Sequence, residues 1–281
     1  MFRTDLLSGK RILVTGGGTG LGKAMTHRFL ELGAAVHICG RREEVLEDTA
    51  AELSKATKGS IHAVPCDVRS RDAVEAMIDS IWQEGPIDIL VNNAAGNFIA
   101  RTEDLSPRAF ESVIGIVLMG TLHCTMACGR RWLKAGDAGT VLSISATYAP
   151  VGSAYVVPSA ISKAGVEALT RSLAVEWGNR KIRLNAIAPG PIPTQGAFSR
   201  VLPRSDLETV AIERNPLRRF GTKEELANLA AFLVSDGSAY INGEVVRMDG
   251  GELLQGAGEF TGLGRLLTDK DWESLKPRKK P

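Results

Sequence analysis

The sequence predicts one doubly wound α/β domain built on a seven-stranded parallel sheet. Three observations carry this expectation. Short apolar runs rich in β-branched residues alternate with helix-period stretches, a glycine-rich turn follows the first run at once, and chemistry-bearing residues cluster just past the ends of the runs. In an open parallel sheet, ligands bind beyond the carboxyl ends of the strands, so those positions hold the candidate site. With 281 residues and 44% hydrophobic content, the chain is large enough to bury a full core as one domain. That domain is expected over 1–265. The segment 266–281 reads as a disordered basic tail, because Lys276-Pro277-Arg278-Lys279-Lys280-Pro281 is charged and proline-flanked.

The strands are expected in order at Ile12 to Thr15, Ala35 to Cys39, Ile61 to Cys66, Ile87 to Val91, Thr140 to Ser145, Ile182 to Ile187 and Glu244 to Met248. Each is four to six residues long, and all but the last begin on an apolar or β-branched residue, as buried parallel strands do. The stretches between them are long enough for crossover helices. Two helix starts are written locally: Ser106 before Pro107 supplies a cap and a first-turn proline, and Thr222 with Glu225 forms a capping box. No internal repeat or linker is visible.

A net charge of +2 with no basic block interleaved with aromatics gives no sign of a nucleic-acid partner. The cysteines Cys39, Cys66, Cys124 and Cys128 include no Cys-x-x-Cys pair and read as buried thiols of a reducing compartment. His27, His37, His62 and His123 share no metal-ligand spacing, so no metal site is expected. No apolar run approaches membrane-spanning length by inspection. The first strand begins within a dozen residues of the N-terminus, leaving no room for a targeting segment. A cytoplasmic protein is expected, and a processed organellar form would look the same.

After the first strand comes Thr15-Gly16-Gly17-Gly18-Thr19-Gly20-Leu21-Gly22. With so little Cβ bulk, backbone N–H groups at a helix N-terminus approach a pyrophosphate closely, which marks a dinucleotide site and a Rossmann-like fold. The spacing also comes near a nucleotide-triphosphate loop, but Ala24 stands where a magnesium-holding hydroxyl is required. The second strand ends in Cys39-Gly40-Arg41-Arg42, with no acid for a ribose diol, which favours NADPH over NADH. Asp67, after the third strand, is placed to accept from an adenine amino group. Asn92 to Gly96, after the fourth, lets the backbone lie against the adenosine ribose.

Together with Lys163 and Pro189-Gly190-Pro191-Ile192, these motifs resemble the short-chain dehydrogenase/reductase superfamily from about Arg11 to Gly251. Three departures stand out: Ser159 replaces the usual acid tyrosine, Val117 the usual helix asparagine and Ala146 the usual serine. Asn92 to Phe98, Tyr148-Ala149, Val156 to Ala160, Lys163 to Ala168, Gly190 to Phe198, Glu225 to Phe232 and Gly258-Glu259-Phe260 resemble the mitochondrial-type 2,4-dienoyl-CoA reductases. The peroxisomal type carries an acid at the position of Val117. The resemblance implies Tyr148, Asn97, Lys163 and Ser159 as catalytic residues. It implies cofactor contacts at Gly16, Gly18, Thr19, Gly20, Leu21, Gly22, Arg41, Asp67, Val68, Asn93, Ala94, Lys163, Pro189, Gly190, Ile192 and Thr194. It carries CoA contacts onto Arg69, Phe98 and Ser106, and implies a homotetramer acting on an acyl-CoA in fatty acid β-oxidation.

Reducing a ketone needs a proton delivered to an alkoxide, and Ser159, with an alcohol's pKa, is no such acid. Conjugate reduction of an unsaturated thioester instead needs a clamp on the oxygen that gathers charge, and Asn97 with Tyr148 fits that need. Plainer roles stay open here: Asn97 as a turn cap, Tyr148 as core packing, Ser159 as an idle helix-face serine, and the arginines as surface charges. So do two other functions, a 2-enoyl thioester reductase and a non-catalytic NADPH- or acyl-CoA-binding module.

Overall fold

Seven strands form one parallel sheet in the order β3-β2-β1-β4-β5-β6-β7. They are β1 Arg11–Thr15, β2 Ala35–Gly40, β3 Ile61–Pro65, β4 Ile89–Asn92, β5 Gly139–Ile144, β6 Ile182–Pro189 and β7 Val245–Met248. The computed structural model describes residues 3–194, 205–257 and 268–274. All seven expected strands are present, and the order reverses between β1 and β4, the switch point where doubly wound sheets open a crevice.

Period-two alternation explains why β1 reads as an unbroken apolar run. Ile12 and Val14 face one side and Leu13 the other, and both sides are covered. On the first side α1 Gly20–Glu31 and α2 Glu43–Thr57 bury Met25, Phe29, Leu46 and Leu53 against the sheet. On the second, α3 Arg71–Gln83 contributes Val74, Met77, Ile78 and Ile81. The four cysteines belong here as buried free thiols, and burial pushes Cys39, Cys66, Cys124 and Cys128 up in pKa.

Ser106 caps α4 Pro107–Ile114, its hydroxyl accepting from the Ala109 N–H at 3.3 Å. A single π turn, Gly115–Met119, then joins α4 to α5 Gly120–Ala135, and the Thr121 hydroxyl bonds the Val117 carbonyl at 2.7 Å. The continuous helical stretch Pro107–Ala135 is long and apolar enough by composition to cross a membrane, which corrects the expectation that no segment approaches that length. Its apolar character has a packing cause: Cys124, Ala127, Cys128 and Trp132 are fully buried on the sheet, with the Trp132 indole N–H on the Ile87 carbonyl at 2.6 Å.

The long helix α6 Val157–Trp177 follows β5, and α7 Ser205–Arg214 and α8 Lys223–Val234 follow β6. The expected capping box starts α8: the Thr222 hydroxyl accepts from the Glu225 N–H, and the Glu225 carboxylate accepts from the Thr222 N–H. After β7 come α9 Glu252–Ala257 and α10 Asp269–Ser274. The latter falls inside the segment expected to be disordered, and its start carries a reciprocal cap between Thr268 and Asp271 that composition alone hides. The basic run 276–281, the Gly258-Glu259-Phe260 motif and positions 195–198 lie outside the described residues.

Candidate active site

The glycine turn after β1 is built to let backbone, and nothing bulkier, face a ligand. Gly16 takes φ +66°, a conformation that side chains resist, and a Cβ at Gly22 would run into the Gly16 carbonyl and the Asn93 amide. Helix α1 has no acidic residue in its first turn, and Thr19 at its N-cap makes no side-chain cap, so its leading N–H groups and the positive end of its dipole remain available to an anion. Gly20 and Leu21 begin that helix, Gly18 packs against Leu46, and Thr194 lies over Gly20. The cradle therefore fits a dinucleotide pyrophosphate. Gly22→Ala is expected to lower dinucleotide affinity by at least about tenfold while costing about 1–3 kcal/mol of stability through overpacking, measured by fluorescence titration and thermal melting.

Asn93 and Ala94 brace the cradle from behind. The Asn93 and Ala94 N–H groups both donate to the Thr15 hydroxyl at 3.0 Å, and the Asn93 amide bonds the Thr15 and Gly16 carbonyls at 2.9 and 3.2 Å. Asp67 and Arg69, given separate ligands by the sequence, here pair with each other through several contacts, and this pairing holds the Asp67 carboxyl below its ordinary range. Val68 is buried between them, and Arg41 is exposed at the end of β2.

Past β5, Tyr148 sits on a turn and is half-buried. Its phenol lies 2.9 Å from the Ser159 hydroxyl, and the Asn97 Nδ2 donates to it at 3.5 Å. The Asn97 Oδ1 is engaged by the Phe98 N–H at 2.9 Å, which turns the amide nitrogen towards the phenol. Residues far apart in sequence thus form one chain, Asn97 to Tyr148 to Ser159. Burial raises the Tyr148 pKa, an effect the Ser159 hydrogen bond opposes, so the phenol stays protonated at neutral pH and acts as a donor.

Lys163 lies on α6 one turn after Ser159 and is buried. Its ammonium donates to the Ile144 carbonyl at 2.5 Å, and burial lowers its pKa to about 8. The sequence did not point to what steadies this corner: the Ser145 hydroxyl donates to buried Glu167 at 2.8 Å, and Glu167 accepts from Arg171 at 2.8 Å. The sequence signals that could have found it are Glu167 one turn past Lys163 and Arg171 four residues after Glu167, an i,i+4 pair on the same helix.

The Phe98 side chain packs against Val113, Val117 and Val166, and Ser106 is exposed at its helix cap, so neither side chain joins the Asn97–Tyr148–Ser159 chain. Pro189 ends β6, Gly190 donates to the Met248 carbonyl at 2.9 Å, and Ile192 packs towards Gly221. A cavity of about 300 Å³ opens there, lined by Gly190, Pro191, Arg219 and Asp249 among others.

The family model for enoyl-(acyl carrier protein) reductases matches residues 16–252. The chain is 47% identical over 257 residues to a Caenorhabditis elegans protein named probable 2,4-dienoyl-CoA reductase 3, (3E)-enoyl-CoA-producing, covering 90% of this chain and 83% of that one. It is 45% identical over 247 residues to a Bacillus subtilis protein named probable 2,4-dienoyl-CoA reductase, (2E)-enoyl-CoA-producing, covering 87% and 97%. A crystal structure of a short chain dehydrogenase from Bacillus anthracis superposes with a TM-score of 0.79 at 46% identity, covering 86% of this chain and 96% of that one. With the glycine cradle at the first crossover, the lysine on α6 and these likenesses over most of its length, the chain belongs to the short-chain dehydrogenase/reductase family of oxidoreductases.

Proposed function

We propose that this oxidoreductase uses NADPH to reduce 2,4-dienoyl-CoA thioesters to 3-enoyl-CoA during β-oxidation of unsaturated fatty acyl chains, assembling as a homotetramer. The observation that carries the reading is the Tyr148 phenol held between the Asn97 amide and the Ser159 hydroxyl, with no tyrosine at position 159. The bound dinucleotide supplies a hydride. Asn97 and Tyr148 hold the thioester oxygen as it gathers charge, and Ser159 orients the phenol so that its proton stays available. Lys163, a donor to the Ile144 carbonyl in the free chain, would bond the nicotinamide ribose hydroxyls. Pro189, Gly190 and Ile192 would line the carboxamide, with Thr194 beside the pyrophosphate.

NADPH is favoured over NADH by exposed Arg41 and by the lack of an acid in Cys39-Gly40-Arg41-Arg42 at the end of β2. Arg69 is the candidate for a CoA phosphate. It is tied to Asp67 by an exposed ion pair, which is weak enough for a phosphate to draw the guanidinium away. The names of the relatives divide between (3E) and (2E) products, so the product decides between the two outcomes.

The test is NADPH oxidation with dienoyl-CoA substrates of several chain lengths, using NADPH deuterated at the transferred position. Deuterium at the δ carbon of a 3-enoyl product is expected. With a 2-enoyl-CoA as a second substrate, deuterium at the β carbon of the saturated acyl-CoA formed from it, with no turnover of the dienoyl-CoA, would move the assignment to an enoyl thioester reductase, and binding of NADPH with no turnover of either thioester would leave a binding module.

A further inference from the structure

We propose that His37, His62 and Glu84 form a binding site for a divalent transition ion of the zinc class, at the β3 edge of the sheet and away from the catalytic cleft. Spacing along the chain conceals the site, because it is made by strand register. His37 on β2 and His62 on β3 are direct cross-strand partners, and their rings stack with centroids 5.0 Å apart and planes 21° from parallel. Glu84 closes the group from the end of α3, its Oε2 lying 3.4 Å from His37 Nε2. One donor atom from each residue lies within 4.8 Å of the others.

Zinc bonds of about 2.0–2.1 Å in a tetrahedron set neighbouring donors about 3.3–3.4 Å apart, so the His37–Glu84 edge already has the required length. The remaining closure falls to His62 and Glu84, which are exposed and can turn once their present surface contacts are given up. His37 is 2% exposed and fixed by the core, and its Nδ1 is buried with no hydrogen-bond partner. That orphan is present whether Nε2 carries a proton or a metal, so exchanging one for the other adds no new buried deficit. The interactions given up are the long His37–Glu84 contact and the 3.1 Å contact between Ser60 and His62.

Two imidazoles and one carboxylate suit zinc-type ions better than magnesium or calcium, which take oxygen donors, and a water completes the fourth position. Arg11, 3.6 Å from Glu84, competes for the carboxylate and sets the affinity below that of a closed four-ligand site. The ion would fasten edge strand β3 to the end of α3.

Tag-free, chelator-stripped protein titrated with zinc chloride in a calorimeter is expected to bind one ion per chain, with a zinc-dependent rise in melting temperature. His62→Ala and Glu84→Gln are each expected to weaken binding by at least about tenfold, the scale on which even outer partners of zinc ligands act. Both should leave the zinc-free melting temperature near that of the unaltered chain, since both side chains are exposed. A chain that takes up no zinc, or that takes it up equally well in either variant, overturns the proposal.

Discussion

Combining Tyr148→Phe with Asn97→Ala is expected to abolish reduction of dienoyl-CoA while NADPH still binds. Each side chain offers a hydrogen to the same cleft, and one oxyanion donor is typically worth about 10²- to 10³-fold in rate. The single variants should therefore each lose about 10²-fold or more in kcat. The double variant should lose less than the product of the two, because the residues contact one another at 3.5 Å and act as a unit. Neither touches the glycine cradle, whose bracing runs through Asn93 and Thr15, so NADPH affinity measured by fluorescence should be unchanged. Tyr148→Phe also leaves the Ser159 hydroxyl without its 2.9 Å partner, a small stability cost that thermal melting separates from the kinetic one. Turnover retained in the double variant would remove the clamp from the mechanism and with it the assignment to conjugate reduction.

Why some of this was legible in the sequence and some was not follows from the range of each interaction. Strands buried on both faces must be apolar along their whole length, so Ile12 to Val14 and Leu90 to Val91 announce themselves. The Thr222–Glu225 box spans three residues and is equally local. The glycine cradle is legible because Gly16 and Gly22 stand where a side chain would be strained or would strike backbone. Register and long-range pairing leave no such trace. His37 and His62 become neighbours only once β2 and β3 align, and Asn97 and Tyr148, 51 residues apart, meet only once the sheet has formed. The apolar stretch through α4 and α5 is hidden for a different reason. Residues 112–129 hold no Asp, Glu, Lys or Arg, but Ser112, Thr121, His123, Thr125 and three glycines interrupt the apolar residues, so the run does not read as uniformly apolar.

The pH dependence of stability should be governed in part by Lys163. Burial holds its ammonium at about 8 in the folded chain, whereas the free side chain titrates at 10.5. Between those values the unfolded chain holds more protons, so the free energy of unfolding rises as pH climbs from about 8 to about 10.5. Below pH 8 the lysine is charged in both states and the full penalty of burying it is present; above about 10.5 it is neutral in both and the penalty is gone. At 1.36 kcal/mol per unit, the difference across this window is about 3 kcal/mol. Lys163→Met, of similar length and apolar, should flatten the window, so the expected result is a melting curve whose midpoint no longer climbs between pH 8 and 10 relative to the unaltered chain. The same variant should lose NADPH turnover, because the ammonium that now bonds the Ile144 carbonyl is the group proposed to bond the cofactor ribose. A buried cation that costs stability at neutral pH, in a position where an apolar side chain would fit, is the cost a site carries for chemistry. Parallel pH profiles for the two proteins would show that the lysine bears no such cost, and its placement would then need a different explanation.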